Sequence, residues 1–200
     1  MEGQSPEPLD PVAAAFHYVE FLGFLLVLGT VVVRRLARLK PRLAWADPPA
    51  AAAVAGAVAG VVGLVWTWPP RSVLIGSIHL LSAGVWAGGI LVMARLRPPG
   101  GWTGAEARDL IERFARVALI AFGVTALTGV IQATARLHEV ADLWTTPYGI
   151  VLLFKVAGVL AMMGLSVAWR RGLGTARLDA AAALLVVLAT AMLAAFPPEA

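Results

Sequence analysis

An all-α, polytopic membrane bundle of about six transmembrane helices is the fold class that this sequence predicts, and three observations predict it. Sixty per cent of the 200 residues are hydrophobic, only 14% are charged, and mean hydropathy is +0.81. A soluble domain cannot bury that much apolar surface, whereas lipid acts as its solvent. The apolar residues fall into six runs, each near the about 20 helical residues needed to cross a hydrocarbon core of roughly 30 Å. The basic residues collect in alternate short loops between those runs, which orients the chain.

The opening MEGQSPEPLDP is acidic and Pro-rich and lacks the basic start of a cleavable signal peptide, so the first apolar run is expected to stay in the mature protein. The spans are expected at 11–33, 49–68, 72–94, 114–135, 148–169 and 179–196, each bounded by Pro, Arg or Trp. The second is Ala/Gly-rich and the most weakly hydrophobic. The chain thus divides into an outer tail (1–10), a transmembrane hairpin (11–70) and a four-helix core (71–200), with no room left for a soluble domain.

Thirteen basic residues fall on one side. Arg34, Arg35, Arg38, Lys40 and Arg42 follow the first span, Arg95, Arg97, Arg108, Arg113 and Arg116 follow the third, and Arg170, Arg171 and Arg177 follow the fifth. The opposite side has Arg71 and Arg136, and Lys155 lies within a span. The side with thirteen is cytoplasmic, so both termini are expected outside. Trp45, Trp102 and Trp169 mark the inner interface and Trp66, Trp68 and Trp144 the outer one, while Trp86 falls in mid-span. Small residues four apart, Gly56 with Gly60 and Gly84 with Gly88, mark candidate close helix contacts.

The net charge of +4 and the pI near 10.3 would suit a nucleic-acid binder, but basic residues confined to short loops between spans argue against one. The absence of cysteine excludes disulfides, thiolate metal sites and iron–sulfur clusters.

Ionisable groups inside spans cost at least about 2.5–3.5 kcal/mol near the bilayer centre, which makes them the default functional candidates. They are His17 and Glu20 in the first helix, His79 in the third and Lys155 in the fifth, with neutral Thr125, Thr128 and Gln132 in the fourth. At about 1.5 Å per residue, His17, His79 and Lys155 lie roughly 9–12 Å below the outer boundary, and Gln132 joins that layer. Glu20 shares a face with His17. The inner half is expected to be nearly devoid of such groups. Plainer roles exist: a histidine near a helix end can bond a neighbouring carbonyl, Lys155 can snorkel or pair with Glu20, and His138 in the outer loop can simply be solvated. Met93, Met162, Met163 and Met192 are conceivable Cu(I) ligands, but packing accounts for them.

The stretch IHLLSAGVWAGGILVMARL places His79 seven residues before Trp86, followed by Gly88 and Gly89. Two helical turns put His79, Ser82 and Trp86 on one face. This H-x6-W-x-G-G pattern resembles the signature of the CopD family of bacterial copper-resistance membrane proteins. RFARVALIAFGVTALTGVIQA, with Thr128 and Gly129, resembles the family's next helix. TPYGIVLLFKVAGVLAMMGLSVAWRR, with Tyr148, Gly149 and Lys155, resembles the one after. The last span resembles the closing helix, with Asp179 where the family often has Glu. The resemblance covers about residues 72–198.

It implies copper transport or handling at the bacterial cytoplasmic membrane. Copper ion is then the cargo, and His79 with His17 form an outer capture site. Glu20, Lys155, Gln132, Trp86 and Tyr148 support the polar layer, and Gly84, Gly88 and Gly89 admit a neighbouring helix. Some family members carry a CopC-like copper-binding domain; here a donor of that type would be a separate protein. With no nucleotide-binding motif, an ATP-driven pump acting alone is excluded. The residues nominate no catalytic group, so the reading is of a transporter or metal-binding protein rather than an enzyme. The same residues also resemble the HemJ-type protoporphyrinogen oxidases. That likeness implies haem b between His17 and His79, with Lys155 and Arg136 as propionate partners. A third alternative is an accessory subunit of a membrane complex, or a homo-oligomer, using the Gly/Ala-rich second helix as its interface.

Overall fold

A computed structural model describes residues 9–67 and 74–197. All of its elements are helical: α1 (Pro11–Ala37), α2 (Ala50–Thr67), α3 (Leu74–Met93), α4 (Ala105–Thr134), α5 (Pro147–Arg170) and α6 (Ala176–Ala194). One helical turn at Asp142–Thr145 precedes α5. Among the described residues, five of these (α1 and α3 to α6) are long and apolar enough to cross a membrane, and α2 lies on the expected second span with Ala53–Val62 as its described apolar stretch. The expected Trp68 and Arg71 lie outside the described residues, and so does the tail up to residue 8.

Local chemistry sets the helix ends. The Asp10 carboxylate accepts from Val12 N (2.9 Å) and Ala13 N (3.1 Å), with Pro11 at the first helical position. Thr146 does the same for α5, accepting from Gly149 N at 3.0 Å ahead of Pro147. Asp142 accepts from Glu139 N and His138 N, and those two bonds hold its carboxyl below the usual range. The largest boundary difference is at α4. It begins at Ala105 rather than 114, because the charged stretch AEARDLIER continues the helix beyond the apolar run.

α1 is the hub, packed against α2, α3 and α6, while α5 packs mainly on α6. Backbones touch where glycines allow. A Cβ on Gly23 of α1 would overlap Gly56 and Gly60 of α2, and one on Gly88 of α3 would overlap the Leu25 carbonyl of α1. Gly29 meets Gly88 likewise, Gly84 faces Leu28, and Gly89 faces the Phe114 ring. Without a hydrophobic force between helices in lipid, this close packing is what associates them. Gly88→Val is therefore expected to lower stability by about 1–3 kcal/mol or more, because neither backbone can retreat. Thermal unfolding in detergent checks it, and an unchanged midpoint would refute the backbone crossing.

Within α3 the residues Gly84–Gly88 form a π-helical turn, with Trp86 at its centre. Such single-turn widenings are rare and concentrate at functional sites. At the basic end, Trp45, Trp102 and Trp169 make an edge-to-face chain, with ring centroids 6.3 and 4.6 Å apart. Several basic residues there are structural. Arg34 and Arg38 pair with Asp47 at 2.8 and 3.2 Å. Desolvation works against the Asp47 carboxylate, but the two guanidiniums outweigh it and hold the carboxyl below its usual range.

Candidate functional site: the α3–α4 seam

α3 and α4 run antiparallel and meet along a ladder of matched side chains. At the outer rung, His79 Nδ1 and Thr128 Oγ1 are 2.9 Å apart. One turn inward, Thr125 Oγ1 donates to Ser82 Oγ at 2.8 Å, and Ser82 Oγ donates to the His79 carbonyl at 3.0 Å. At the inner rung the Trp86 ring stacks edge-on to Phe122, centroids 5.1 Å apart. His79, Ser82 and Trp86 thus share the α4-facing side, while Gly84 and Gly88 face α1. Gly129 makes room for the imidazole: a Cβ there would lie 3.3 Å from His79 Cε1.

The ladder engages the histidine ring at Nδ1. Thr128 has one hydroxyl proton, and Oγ1 lies 2.7 Å from Val124 O, where that proton is donated along its own helix. With the proton placed there, the hydroxyl accepts from Nδ1–H of His79. Nε2 keeps its lone pair, and no partner claims it among the described residues. A neutral imidazole oriented through Nδ1–H by an oxygen acceptor is the usual arrangement of a metal-ligating histidine.

Gln132 lies one turn outward from Thr128 on the same helix, and its Nε2 is buried without a hydrogen-bond partner. Lys155 stands on α5, two turns in from Pro147. Among the described residues it has no carboxylate partner. Its conceivable partner Glu20 is instead engaged with His17, Nδ1 to Oε2 at 3.1 Å on the same face of α1. The His17 ring also stacks on Phe21 at 5.5 Å. His17 and His79 thus bond different partners, Glu20 on α1 for the one and Thr128 on α4 for the other. Among the described residues, no group of three or more His, Asp or Glu is placed to hold a metal ion.

Tyr148 and Arg136 belong to the outer rim. Arg136 lies over the Tyr148 ring at 5.5 Å and donates to Pro197 O at 2.9 Å, and Tyr148 packs on Phe196 at 5.7 Å. Met93 and Met162 are fully buried in the core. The inner half is more polar than the sequence suggested. Asp179 is completely buried, accepts from Ser166 Oγ at 2.5 Å and leaves Oδ1 unpartnered. Arg113 is buried too, bonded to Leu36, Leu39 and Pro41 carbonyls. Asp179 was visible only as a departure from a family Glu, and Arg113 only as a cytoplasmic-side charge entering the fourth helix; neither shows its burial in the sequence.

Residues 108–196 match the family model described as Copper resistance protein D, CopD. The matched segment runs from α4 to just past the end of α6 and holds Thr128, Gly129, Gln132 and Lys155. His79 and Trp86 precede it. No curated protein and no solved structure matches the chain.

Proposed function

We propose, from the match of residues 108–196 to the CopD family model and the membrane-spanning helices, that this chain is a multi-pass inner-membrane protein of copper handling that captures copper from the outer side at His79. The observation that carries the reading is the 2.9 Å contact of His79 Nδ1 with Thr128, which leaves Nε2, without a partner among the described residues, as the ring atom open to a copper ion. It stands on the outer half of α3, where an ion arriving from outside would first meet the bundle. His17 and Glu20 on α1 are proposed as the entry pair that hands copper to His79. The unpartnered amide of Gln132, one turn outward on α4, offers a polar group beside that path. Lys155 would keep the local charge from trapping a cation. Transport across the membrane, and delivery by a separate CopC-type protein outside, follow as the proposed context.

Haem b between His17 and His79 would need the two rings to face one plane. Their contacts, to Glu20 and Phe21 on one side and to Thr128 and Gly129 on the other, do not favour it. Element-resolved mass spectrometry of the purified, detergent-solubilised protein decides between the readings. Copper retained after exposure, with iron at background, is the expected result. Near-stoichiometric iron without copper would overturn it.

A further inference from the structure

We propose that the basic end of the bundle holds an anionic phospholipid, with its headgroup in a cleft between α4 and α5 and an acyl chain in the groove that continues from it. This inference is independent of the copper reading.

The cleft has a volume of about 520 Å³ and is lined by Arg108, Arg170, Arg171, Glu112, Trp102 and Trp169, among others. Three guanidiniums face one carboxylate there, so the lining is net positive. None of the three arginines forms an ion pair among the described residues, unlike Arg34, Arg38 and Arg113 at the same end. The second observation is Trp169. It is 3% exposed, and its Nε1–H has no hydrogen-bond partner. A buried donor left unpaired is costly, so an acceptor is expected beside it. A phosphate oxygen among the arginines meets both needs.

The shape of the neighbouring space identifies the ligand as a lipid rather than a free anion. Ile111, Val167, Trp169 and Arg170 line both the cleft and a second, apolar groove of about 150 Å³. That groove runs into the bilayer between α4 and α5, past Phe114, Leu119, Phe122 and Met163, as far as Trp86. It exists because α4 and α5 barely touch along their length. A charged cleft at the interface, opening directly into an apolar slot at hydrocarbon depth, complements an amphipathic anion. By the distribution of basic residues this end is cytoplasmic, and basic pockets between transmembrane helices on that side are the known setting for anionic headgroups.

The test uses the full chain in nonionic detergent, with native mass spectrometry and thermal unfolding as readouts. Dioleoyl phosphatidylglycerol is compared with dioleoyl phosphatidylcholine and with inorganic phosphate. One phosphatidylglycerol retained per chain is expected, with a rise in unfolding temperature that phosphatidylcholine and phosphate do not give. The double variant Arg170→Gln/Arg171→Gln, at two exposed positions that do not disturb the core, should weaken retention at least tenfold. Trp169→Phe should weaken it several-fold while keeping the ring. Equal retention of the two lipids, an equal shift with phosphate alone, or an unaffected double variant would each overturn the proposal.

Discussion

Replacing His79 with Ala is expected to abolish copper retention and any copper-dependent growth phenotype while leaving the bundle folded. His79 is half-buried against α4, and its loss removes one polar rung from a seam that keeps the Ser82–Thr125 and Trp86–Phe122 contacts. Folding should therefore survive, which far-ultraviolet circular dichroism and the unfolding temperature would show. The affinity loss should exceed the roughly 10–100-fold typical of removing a group that orients a ligand. Thr128→Val supplies that comparison. It removes the acceptor for Nδ1–H, frees the ring and should cost about 10–100-fold in copper affinity, whereas Thr128→Ser should restore most of it. This pattern separates an oriented ligand from a structural histidine, which would lose stability and not affinity. Full copper binding by His79→Ala would sink the capture site.

Span number and placement were largely legible because lipid imposes one requirement on every crossing helix, about 20 apolar residues, and hydropathy reports it directly. α2 (Ala50–Thr67) falls on the expected second span, and its described side chains include the apolar stretch Ala53–Val62. The early start of α4 was hidden because Arg108 read as part of the loop and only Arg113 and Arg116 as entering the helix, although a helix continues into the interface without difficulty. At the site, the expected layer of His17, His79 and Lys155 rests on depth alone, which needs only the helical rise. What each side chain faces could not be read that way, because rotation about the helix axis is set by packing. The glycine faces of α3 meet α1, which turns His79 toward Thr128 rather than toward His17. Thr128 counted only as neutral polarity in the sequence, and Gly129 only as part of a family likeness. Their joint role, one engaging the ring at Nδ1 and the other clearing space for the ring, exists only once the two helices are paired.

Arg113→Ala is expected to destabilise the protein by about 3–5 kcal/mol, the range for breaking a buried charged network by removing one partner. Arg113 is 7% exposed, and its Nη1 donates to Leu36 O and Leu39 O at 3.0 and 3.1 Å. Its Nη2 donates to Pro41 O at 3.1 Å and to the Asp109 carboxylate, which also accepts from Nε. The three carbonyls belong to the end of α1 and the turn after it, where a helix leaves its last acceptors unpaired and its dipole favours a cation. One guanidinium on α4 thus closes the α1 terminus and ties it to the interfacial start of α4. A rival account is that Arg113 acts only as one of the cytoplasmic charges that orient the chain. Arg113→Lys separates the two. It keeps the charge, so topology alone would leave stability unchanged, but a single ammonium cannot replace a planar fork serving three carbonyls and a carboxylate. Most of the loss seen with Ala should therefore persist in Lys, read from unfolding midpoints in detergent. Full recovery with Lys would reduce Arg113 to a topological charge.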